Sequence, residues 1–322
     1  MARWSVDHQP KILVIAQREA PQFAMLAGVP HVLTYDTAAA AAMSNCEIIL
    51  QWSGTRDMLR DAFAGCPALR WIHSRYAGVD SYLFPELVNS DVVLTNARGV
   101  YSPSLGEFVL AAILYFAKDI PRLRRDQAAA RWAPFEMEMI SGRTVGIVGY
   151  GDIGRAAASR AHAMGMRVLA TKRHPPAQPN PQIERYYRPD ELHALLAECD
   201  YVVVAAPLTP ETRHMISKAE FAVMKPSAVL INVGRGPVVD TDALVRALDQ
   251  KQIKGAGLDV VDPEPLPAGH PLYGMENVLL SPHSADQIAG WKDDAMRFFL
   301  EQYARFTKGE PLLNVVDKRL GY

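Results

Sequence analysis

The sequence predicts an α/β protein with two doubly wound parallel sheets. Three observations carry this prediction: buried-strand patterns alternate with helical patterns, a glycine-rich turn separates one strand from one helix, and the chain has 322 residues. Alternating strands and helices give a parallel sheet with helices on both faces. A chain of this length, 49% of it hydrophobic, can form two cores, so we expect two domains.

The first hundred residues contain four buried-strand patterns. These are Lys11–Ala16, Glu47–Gln51, Trp71–Ser74 and Asp91–Thr95. Helical patterns lie between them, for example at Thr37–Met43 and Thr55–Ala64. We therefore predict a small α/β domain that ends near residue 101. The amphipathic tail Trp291–Phe306 is expected to fold back onto it, so that residues 1–101 plus 290–322 form one discontinuous domain.

A long apolar helix follows this first domain. Ser104–Glu107 opens it, Phe108–Lys118 forms its apolar body, and a basic stretch, Arg122–Arg125, comes next. Periodicity alone leaves three interpretations open, namely a connection between domains, a dimer seam and a buried core helix.

The second domain, residues 102–289, repeats the alternation of strands and helices. Its strand patterns are Thr144–Val148, Arg167–Thr171, Tyr201–Ala206, Ala228–Asn232, Gly255–Val260 and Asn277–Ser281. Its helical patterns after the first strand are Ile153–Met164, Asp190–Glu198, Ser217–Val223 and Thr241–Gln250. A loop with five prolines runs from Pro175 to Pro189.

The turn between the first strand and helix of this domain has the spacing of a dinucleotide-binding motif. Gly149 allows a tight turn, Gly151 a close approach of backbone to pyrophosphate, and Gly154 close packing of helix on strand. Asp152 and Ile153 begin the helix, whose N-terminus offers N–H groups and a positive dipole end to phosphates. We therefore predict a Rossmann domain inserted in a flavodoxin-like substrate domain. A plain glycine turn is the alternative.

The residues after the second strand of this domain bear on cofactor choice. An acidic side chain normally binds the ribose 2′-OH of NAD here, but Lys172 and Arg173 follow Thr171 instead. Cations attract the 2′-phosphate of NADP, and the guanidinium does so with two hydrogen bonds. The expectation is NADP as the preferred cofactor, with NAD possible. A solvated basic loop is the alternative.

Three later segments place reactive side chains at strand ends, where ligands bind in such sheets. Arg235 stands between glycines in Asn-Val-Gly-Arg-Gly, and its planar fork suits a carboxylate. Glu264 stands between two prolines in Asp-Pro-Glu-Pro-Leu-Pro. His283 follows Ser-Pro and is suited to general acid–base work near neutral pH.

These segments, in this order and spacing, resemble the D-isomer-specific 2-hydroxyacid dehydrogenases over essentially the whole chain, in the glyoxylate/hydroxypyruvate reductase-like branch. The resemblance implies that Arg235, Glu264 and His283 are catalytic. It also implies that Asp259 holds the nicotinamide amide. Further residues at the cofactor are then Ala206, Pro207, Thr212, Val233 and His283 itself. The loop of Tyr76, Ala77 and Gly78 resembles the family's substrate loop, whose backbone N–H groups bind the substrate carboxylate. Arg235 and His283 are the other substrate-binding residues that the resemblance implies.

The resemblance implies a reductase that transfers a hydride from NADPH to a small 2-oxo acid of the glyoxylate or hydroxypyruvate type. Two alternatives stay open, an NAD-dependent dehydrogenase that works toward oxidation and a nucleotide-sensing binding protein of the corepressor type. Trp52 either lines the pocket or packs in the core. Arg75 and Arg98 either reach a second anionic group of the substrate or lie at a solvated surface.

Net charge, apolar runs and cysteine content exclude some classes of partner and indicate a cellular compartment. A formal net charge of −1 argues against a nucleic-acid surface, and no apolar run approaches the ~20 residues of a membrane span. The first eight residues lack the apolar core of a signal peptide. Three cysteines without a CxxC pair indicate a reducing compartment, so we expect a cytoplasmic protein without a bound metal. A homodimer is expected from the family and the apolar helix.

Overall fold

The computed structural model describes residues 9–36, 45–174, 177–178 and 180–322. Contacts between residues divide the chain into two units. The first unit extends to Tyr101 and resumes at Ala289, and the second extends from Ser102 to Ile288. The predicted helix Thr37–Met43 lies outside the described residues.

The first unit contains a five-stranded sheet. Its strands are β1 (Ile12–Ile15), β2 (His31–Thr34), β3 (Ile48–Gln51), β4 (Trp71–Ser74) and β5 (Val93–Asn96). They pair in the order β2-β1-β3-β4-β5, and every pairing is parallel. This is the strand order of flavodoxin-like sheets. The strand β2 is an addition to the four strands that the sequence predicted.

The second unit contains a seven-stranded parallel sheet. Its strands are β6 (Thr144–Val148), β7 (Arg167–Thr171), β8 (Arg185–Tyr187), β9 (Tyr201–Val204), β10 (Val229–Asn232), β11 (Gly255–Leu258) and β12 (Val278–Leu280). The order β12-β11-β10-β9-β6-β7-β8 reverses direction beside β6, as in a Rossmann sheet. The predicted fold class, with two doubly wound sheets, is confirmed.

Helices flank both sheets. The α-helices among the described residues are α1 (Arg56–Gly65), α2 (Pro85–Val88), α3 (Ser102–Ala117), α4 (Ile120–Ala128), α5 (Asp152–Ala163), α6 (Leu192–Glu198), α7 (Lys218–Val223), α8 (Thr241–Asp249) and α9 (Trp291–Lys308). Short 3-10 helices form at Pro21–Leu26, Pro189–Glu191, Gly236–Val238 and Pro271–Tyr273. None of the helices within the described ranges is long and apolar enough to cross a membrane.

Helix α9 packs on the sheet of the first unit. The ring of Trp71, on the inner strand β4, stacks on Phe299 at a centroid distance of 5.5 Å and on Phe306 at 5.3 Å. Aromatic rings of this size bury much apolar area, so they hold the chain's last helix on its first sheet.

Helix α3 is a core helix of the second unit. One face of it, including Val109, Ala112 and Ile113, is buried, and a Cβ atom on Gly106 would lie 2.9 Å from the carbonyl carbon of Ala156 in α5. Of the interpretations open for the apolar helix, the structure therefore favours the buried core helix.

Two elements of the second unit were missed. The strand β8 lies inside the segment that the sequence analysis treated as a proline-rich loop, and α4 covers the stretch treated only as basic. Both are short, and β8 is an edge strand with only three residues, so neither has the length that periodicity needs.

Candidate active site

The glycine turn of the second unit leaves no space for side chains at two of its three glycines. Gly149 has φ +98°, and a Cβ atom there would lie 2.6 Å from the Cα atom of Ala206. Its N–H donates to the Thr171 hydroxyl at 2.9 Å. A Cβ atom on Gly154 would lie 2.5 Å from the Gly149 oxygen. These contacts seat the N-terminus of α5 directly against the end of β6.

The third glycine borders open space. A Cβ atom on Gly151 would meet no atom of the described residues within 4 Å. The N–H groups of Ile153 and Gly154, in the first turn of α5, donate to no atom of the described residues. Asp152 forms an ion pair with Arg155. Room beside Gly151 and unused donors at a helix N-terminus fit the pyrophosphate of a dinucleotide.

Lys172 and Arg173 extend from the carboxyl end of β7. The Lys172 ammonium lies 5.7 Å from the ring centroid of Tyr150, and Arg173 is exposed. The Lys172 N–H donates to the Tyr187 carbonyl of β8 at 2.9 Å, so the missed strand fixes the backbone of the basic pair. The pair stands at the sheet edge where a ribose would be bound.

The segment from Ala206 to Thr212 forms a turn after β9. Ala206 is buried and Pro207 is exposed. The Thr212 hydroxyl donates to the Pro207 carbonyl at 2.6 Å and accepts from the Thr209 N–H at 2.8 Å. The threonine therefore holds the turn closed. Val233 is buried after β10, and its N–H donates to the Val204 carbonyl at 3.0 Å.

The loop that carries Arg235 is shaped by Asn232 at the end of β10. The Asn232 side chain accepts from the Gly234 N–H and donates to the Arg235 carbonyl, each at 3.1 Å. A Cβ atom on Gly236 would lie 1.7 Å from the Val261 oxygen. Only glycine permits this approach, which brings the Arg235 loop against the loop of Glu264.

Glu264 and His283 form a hydrogen-bonded pair. His283 Nδ1 lies 2.8 Å from Glu264 Oε2, and Glu264 Oε1 accepts from the Val261 N–H at 3.0 Å. Both side chains are partly exposed. With Nδ1 engaged by the carboxylate, the Nε2 atom of His283 is the ring nitrogen left for a ligand.

Charges around this pair shift its pKa values. The hydrogen bond to Glu264 raises the pKa of His283 against the opposing effect of burial, and the carboxylates of Glu264 and Asp259 add to the rise. Burial opposes the shift at Glu264, but hydrogen bonds from His283 and Val261 lower its pKa. The charge of Arg235 lowers the pKa of both groups, so Arg235 lies in the same cluster.

Asp259 organises the loop that presents His283. Its buried Oδ1 atom accepts from the Ser281 hydroxyl at 2.7 Å, the Ser284 N–H at 2.9 Å and the Ala285 N–H at 3.0 Å. Its carbonyl accepts from the His283 N–H at 2.9 Å. His283 has φ +53°, a left-handed conformation that costs free energy for a non-glycine residue and is common at functional sites.

The first unit contains the predicted substrate loop after β4. The Ala77 carbonyl accepts from the Asn96 amide at 2.6 Å, and the Tyr76 carbonyl accepts from the Ala97 N–H at 3.3 Å. The N–H groups of Ala77 and Gly78 have no acceptor among the described residues. The loop is therefore fixed by its carbonyls and presents unused donors suited to an anion.

The structure thus groups Arg235, Glu264, His283 and Asp259 in the second unit and places the Tyr76–Gly78 loop in the first. The structural roles of Asn232 and of Asn96 were not predicted from the sequence. An amide at a strand end was the available signal in each case. No group of three His, Cys, Asp or Glu side chains in the described ranges could hold a metal ion.

The chain is similar in sequence to known proteins. The family profile described as D-isomer specific 2-hydroxyacid dehydrogenase, NAD binding domain, matches residues 110–285. A glyoxylate reductase of Thermococcus gammatolerans is 32% identical over 269 residues, which are 81% of this chain and 80% of that protein. A glyoxylate/hydroxypyruvate reductase B of Enterobacter sp. is 38% identical over 224 residues, 67% of this chain and 68% of that protein.

Solved structures with the same fold span nearly the whole chain. A D-isomer specific 2-hydroxyacid dehydrogenase from Xanthobacter autotrophicus, in complex with NADPH and MES, has a TM-score of 0.83 and 33% identity, and the match covers 98% of this chain and 100% of that one. An NADPH-dependent glyoxylate/hydroxypyruvate reductase from Sinorhizobium meliloti, in complex with NADP and sulfate, has a TM-score of 0.84 and 27% identity, with 97% and 100% covered.

Proposed function

The chain belongs to the D-isomer specific 2-hydroxyacid dehydrogenase family and is an NAD(P)-dependent enzyme of that family, and on this premise we propose that it is an NADPH-preferring reductase of small 2-oxo acids. This class of substrates includes acids of the glyoxylate and hydroxypyruvate type. The observation that carries the proposal is the Glu264–His283 pair beside Arg235, at the end of a dinucleotide-binding sheet.

His283 is the proposed acid. Bound NADPH supplies the hydride that goes to the carbonyl carbon of the substrate. His283 holds a proton on Nε2 and donates it to the carbonyl oxygen, which becomes a hydroxyl. Glu264 keeps the ring oriented through Nδ1 and stabilises its protonated form, consistent with the raised pKa of His283.

Arg235 and the Tyr76–Gly78 loop are the proposed substrate-binding groups. The guanidinium of Arg235 stabilises the negative charge that builds on the carbonyl oxygen and orients the substrate carboxylate. The N–H groups of Ala77 and Gly78, which have no acceptor among the described residues, are suited to a carboxylate.

The cofactor is proposed to bind along the glycine turn. Gly149, Gly151, Asp152, Ile153 and Gly154 form the pyrophosphate site, and the open space at Gly151 supports this placement. Lys172 and Arg173 are assigned to the 2′-phosphate. The remaining assignments are Asp259 to the nicotinamide amide, and Ala206, Pro207, Thr212 and Val233 to the cofactor's surroundings. The relatives from Xanthobacter autotrophicus and Sinorhizobium meliloti that contain NADPH or NADP support the choice of cofactor.

A panel of 2-oxo acids assayed with NADPH and with NADH tests the proposal. The oxidation of either cofactor is followed by absorbance at 340 nm, a general property of reduced nicotinamides. We expect turnover of glyoxylate or hydroxypyruvate and a higher kcat/KM with NADPH. A higher kcat/KM with NADH than with NADPH, together with efficient oxidation of 2-hydroxy acids by NAD⁺, would support the alternative of an NAD-dependent dehydrogenase. Binding of NADPH without turnover of any acid would support a nucleotide-sensing protein instead.

We also propose a homodimer, on the strength of one exposed segment of the second unit. Residues 131–140 form no helix or strand, and Trp132 is 96% exposed and Met139 69% exposed. The Glu138 N–H donates to the Ala117 carbonyl at 2.9 Å, and Glu138 pairs with Lys254 at 2.9 Å, so the segment is held with large apolar side chains in solvent. Such surfaces mark association sites. Sedimentation equilibrium of the wild type and of Trp132→Ser tests it: the wild type is expected to be dimeric and the variant to dissociate.

A further inference from the structure

Arg75 is a buried cation of the first unit, directly after β4. It is only 6% exposed, and it forms no ion pair with an Asp or Glu side chain in the part of the chain that the structure describes. An arginine cannot lose its charge at physiological pH, and a buried charge is costly unless it is paired. The environment of Arg75 must therefore stabilise a positive charge, or a ligand must neutralise it.

Three aromatic rings surround the guanidinium, and we call them the aromatic cage. The guanidinium carbon lies 4.8 Å from the Trp52 ring centroid, 4.5 Å from that of Tyr76 and 5.0 Å from that of Trp291. Cation–π contacts of this kind stabilise the charge, but ring faces replace only part of the hydrogen bonding that a guanidinium has in water.

The hydrogen-bonding capacity of Arg75 is mostly unused. Its Nη2 atom donates to the Tyr76 hydroxyl, and its buried Nε atom has no hydrogen-bond partner among the described residues. The backbone is fixed on both sides, because the Arg75 N–H donates to the Gln51 carbonyl at 3.1 Å and the Tyr101 hydroxyl donates to the Arg75 carbonyl at 2.7 Å. A rigidly held guanidinium with unused donors is suited to bind an acidic group.

Arg75 lies directly beside the Tyr76–Gly78 loop, so one bound molecule can contact both. Arg75 follows the inner strand β4 at the carboxyl edge of the sheet, where open parallel sheets bind their ligands. The next residues are the Tyr76–Gly78 loop, whose Ala77 and Gly78 N–H groups are also unused. Two anion-binding features therefore adjoin each other in the chain.

We propose that Arg75 binds a second carboxylate of the substrate, so that the enzyme prefers 2-oxo dicarboxylic acids to 2-oxo monocarboxylic acids. The inference rests on the proposed function, in which the loop N–H groups bind the carboxylate next to the carbonyl. A monocarboxylic acid then leaves Arg75 without a counter-charge. A distal carboxylate supplies that charge and accepts from the guanidinium fork.

Substrate competition in the wild type and in two Arg75 variants tests the inference. The kcat/KM values of oxaloacetate and 2-oxoglutarate are compared with those of glyoxylate and pyruvate, with NADPH as reductant. We expect a dicarboxylic acid to have the highest value in the wild type. In Arg75→Gln the ratio of dicarboxylic to monocarboxylic kcat/KM is expected to fall about tenfold to hundredfold, as for the loss of a charge-assisted hydrogen bond. Arg75→Lys keeps the charge without the fork and is expected to lie between the two.

The matched control is Arg60→Gln, which removes an exposed arginine of α1 in the same unit and is expected to keep the wild-type ratio. Because Arg75→Gln risks misfolding, malonate and acetate are also titrated calorimetrically into the wild type with NADPH bound. Malonate is expected to bind at least about tenfold more tightly, and equal affinity would overturn the inference. Higher kcat/KM for the monocarboxylic acids would overturn it as well. Absence of turnover with every acid would contradict the proposed function, while the titration would still decide the role of Arg75.

Discussion

At the residue scale, Glu264 raises the pKa of His283. Its Oε2 atom lies 2.8 Å from His283 Nδ1, and its Oε1 atom is held by the Val261 N–H. The carboxylate raises the pKa of His283 because it stabilises the protonated ring. An acid for carbonyl reduction needs this, since it must hold its proton at the working pH.

Replacing Glu264 tests this control. In the proposed mechanism reduction requires protonated His283, so the rate is expected to fall as the pH rises through the pKa of His283. In Glu264→Gln the negative charge is lost, the pKa of His283 drops, and the fall in kcat/KM is expected to begin at a lower pH than in the wild type. In the direction of 2-hydroxy acid oxidation, which needs the neutral ring, activity should extend to lower pH.

A pH profile of kcat/KM for both proteins measures the effect, with Glu301→Gln, which replaces an exposed carboxylate of α9, as the control. A Glu264→Gln profile that coincides with the wild-type profile would show that the carboxylate does not set the pKa of His283.

Replacing His283 itself tests its role as the acid. His283→Ala is expected to lower kcat about hundredfold or more while NADPH still binds.

Lys172 and Arg173, the basic pair after β7, are the residues proposed to select NADPH over NADH. The double variant Lys172→Ala with Arg173→Ala removes both charges assigned to the 2′-phosphate. We expect the KM for NADPH to rise about tenfold to hundredfold and the KM for NADH to change little, because NADH has no 2′-phosphate. Steady-state kinetics with both cofactors measure it. Lys218→Ala, an exposed lysine of α7, is the control, and equal changes for both cofactors would refute the assignment.

At the scale of elements, the turn from β6 to α5 uses its glycines in two different ways. The fold itself requires Gly149 and Gly154. A Cβ atom would lie 2.6 Å from a backbone atom at Gly149 and 2.5 Å from one at Gly154. Gly151 borders open space within the described residues, and its φ of −98° lies outside the left-handed region that favours glycine. Any requirement for glycine at Gly151 must therefore come from a ligand.

Alanine at these positions separates stability from binding. Gly151→Ala is expected to unfold at the wild-type urea concentration but to bind NADPH at least about tenfold more weakly, because its methyl group occupies the pyrophosphate space. Gly154→Ala is expected to lose about 1–3 kcal/mol of unfolding free energy through overpacking. Urea unfolding and fluorescence titration with NADPH measure the two effects. Unchanged NADPH affinity in Gly151→Ala would place the pyrophosphate elsewhere.

At the scale of the whole molecule, His73 makes the first unit sensitive to acid. His73 lies on β4 and is fully buried. Its Nδ1 atom is 2.8 Å from the Thr95 hydroxyl, and its Nε2 atom has no hydrogen-bond partner in the part of the chain that the structure describes. Burial lowers the pKa of His73 to about 3. The unfolded chain takes up a proton at this residue below about pH 6.5, but the folded chain does not. Stability is therefore lost as the pH falls from about 6.5 toward 3.

Unfolding by urea between pH 4.5 and 7.5 measures this loss. One buried neutral histidine contributes a slope of up to about 1.4 kcal/mol per pH unit to the unfolding free energy. His73→Gln is expected to be less stable at neutral pH but to show a shallower decline in acid. His162→Gln, at an exposed position on α5, is the control. Parallel curves for His73→Gln and the wild type would mean that His73 is protonated in the folded state.

Much of this molecule follows from local sequence. The alternation of buried strands with helices predicted both parallel sheets, and the spacing of Gly149, Gly151 and Gly154 predicted the dinucleotide turn, because backbone sterics and side-chain periodicity act over a few residues. The strands β2 and β8 escaped prediction. Each is short and lies beside only one other strand, so little burial pattern marks it.

The sequence by itself determined the fold class, the place of the glycine turn and the residue types available for acid–base work. Only the tertiary structure decided which of these residues meet. Glu264 and His283 are 19 positions apart and pair because Gly236 admits one loop against another and Asp259 ties the histidine loop down. Arg75, which the sequence left between solvent and substrate, is enclosed by rings from three separate segments. Such encounters depend on long-range packing, which periodicity within one segment does not record.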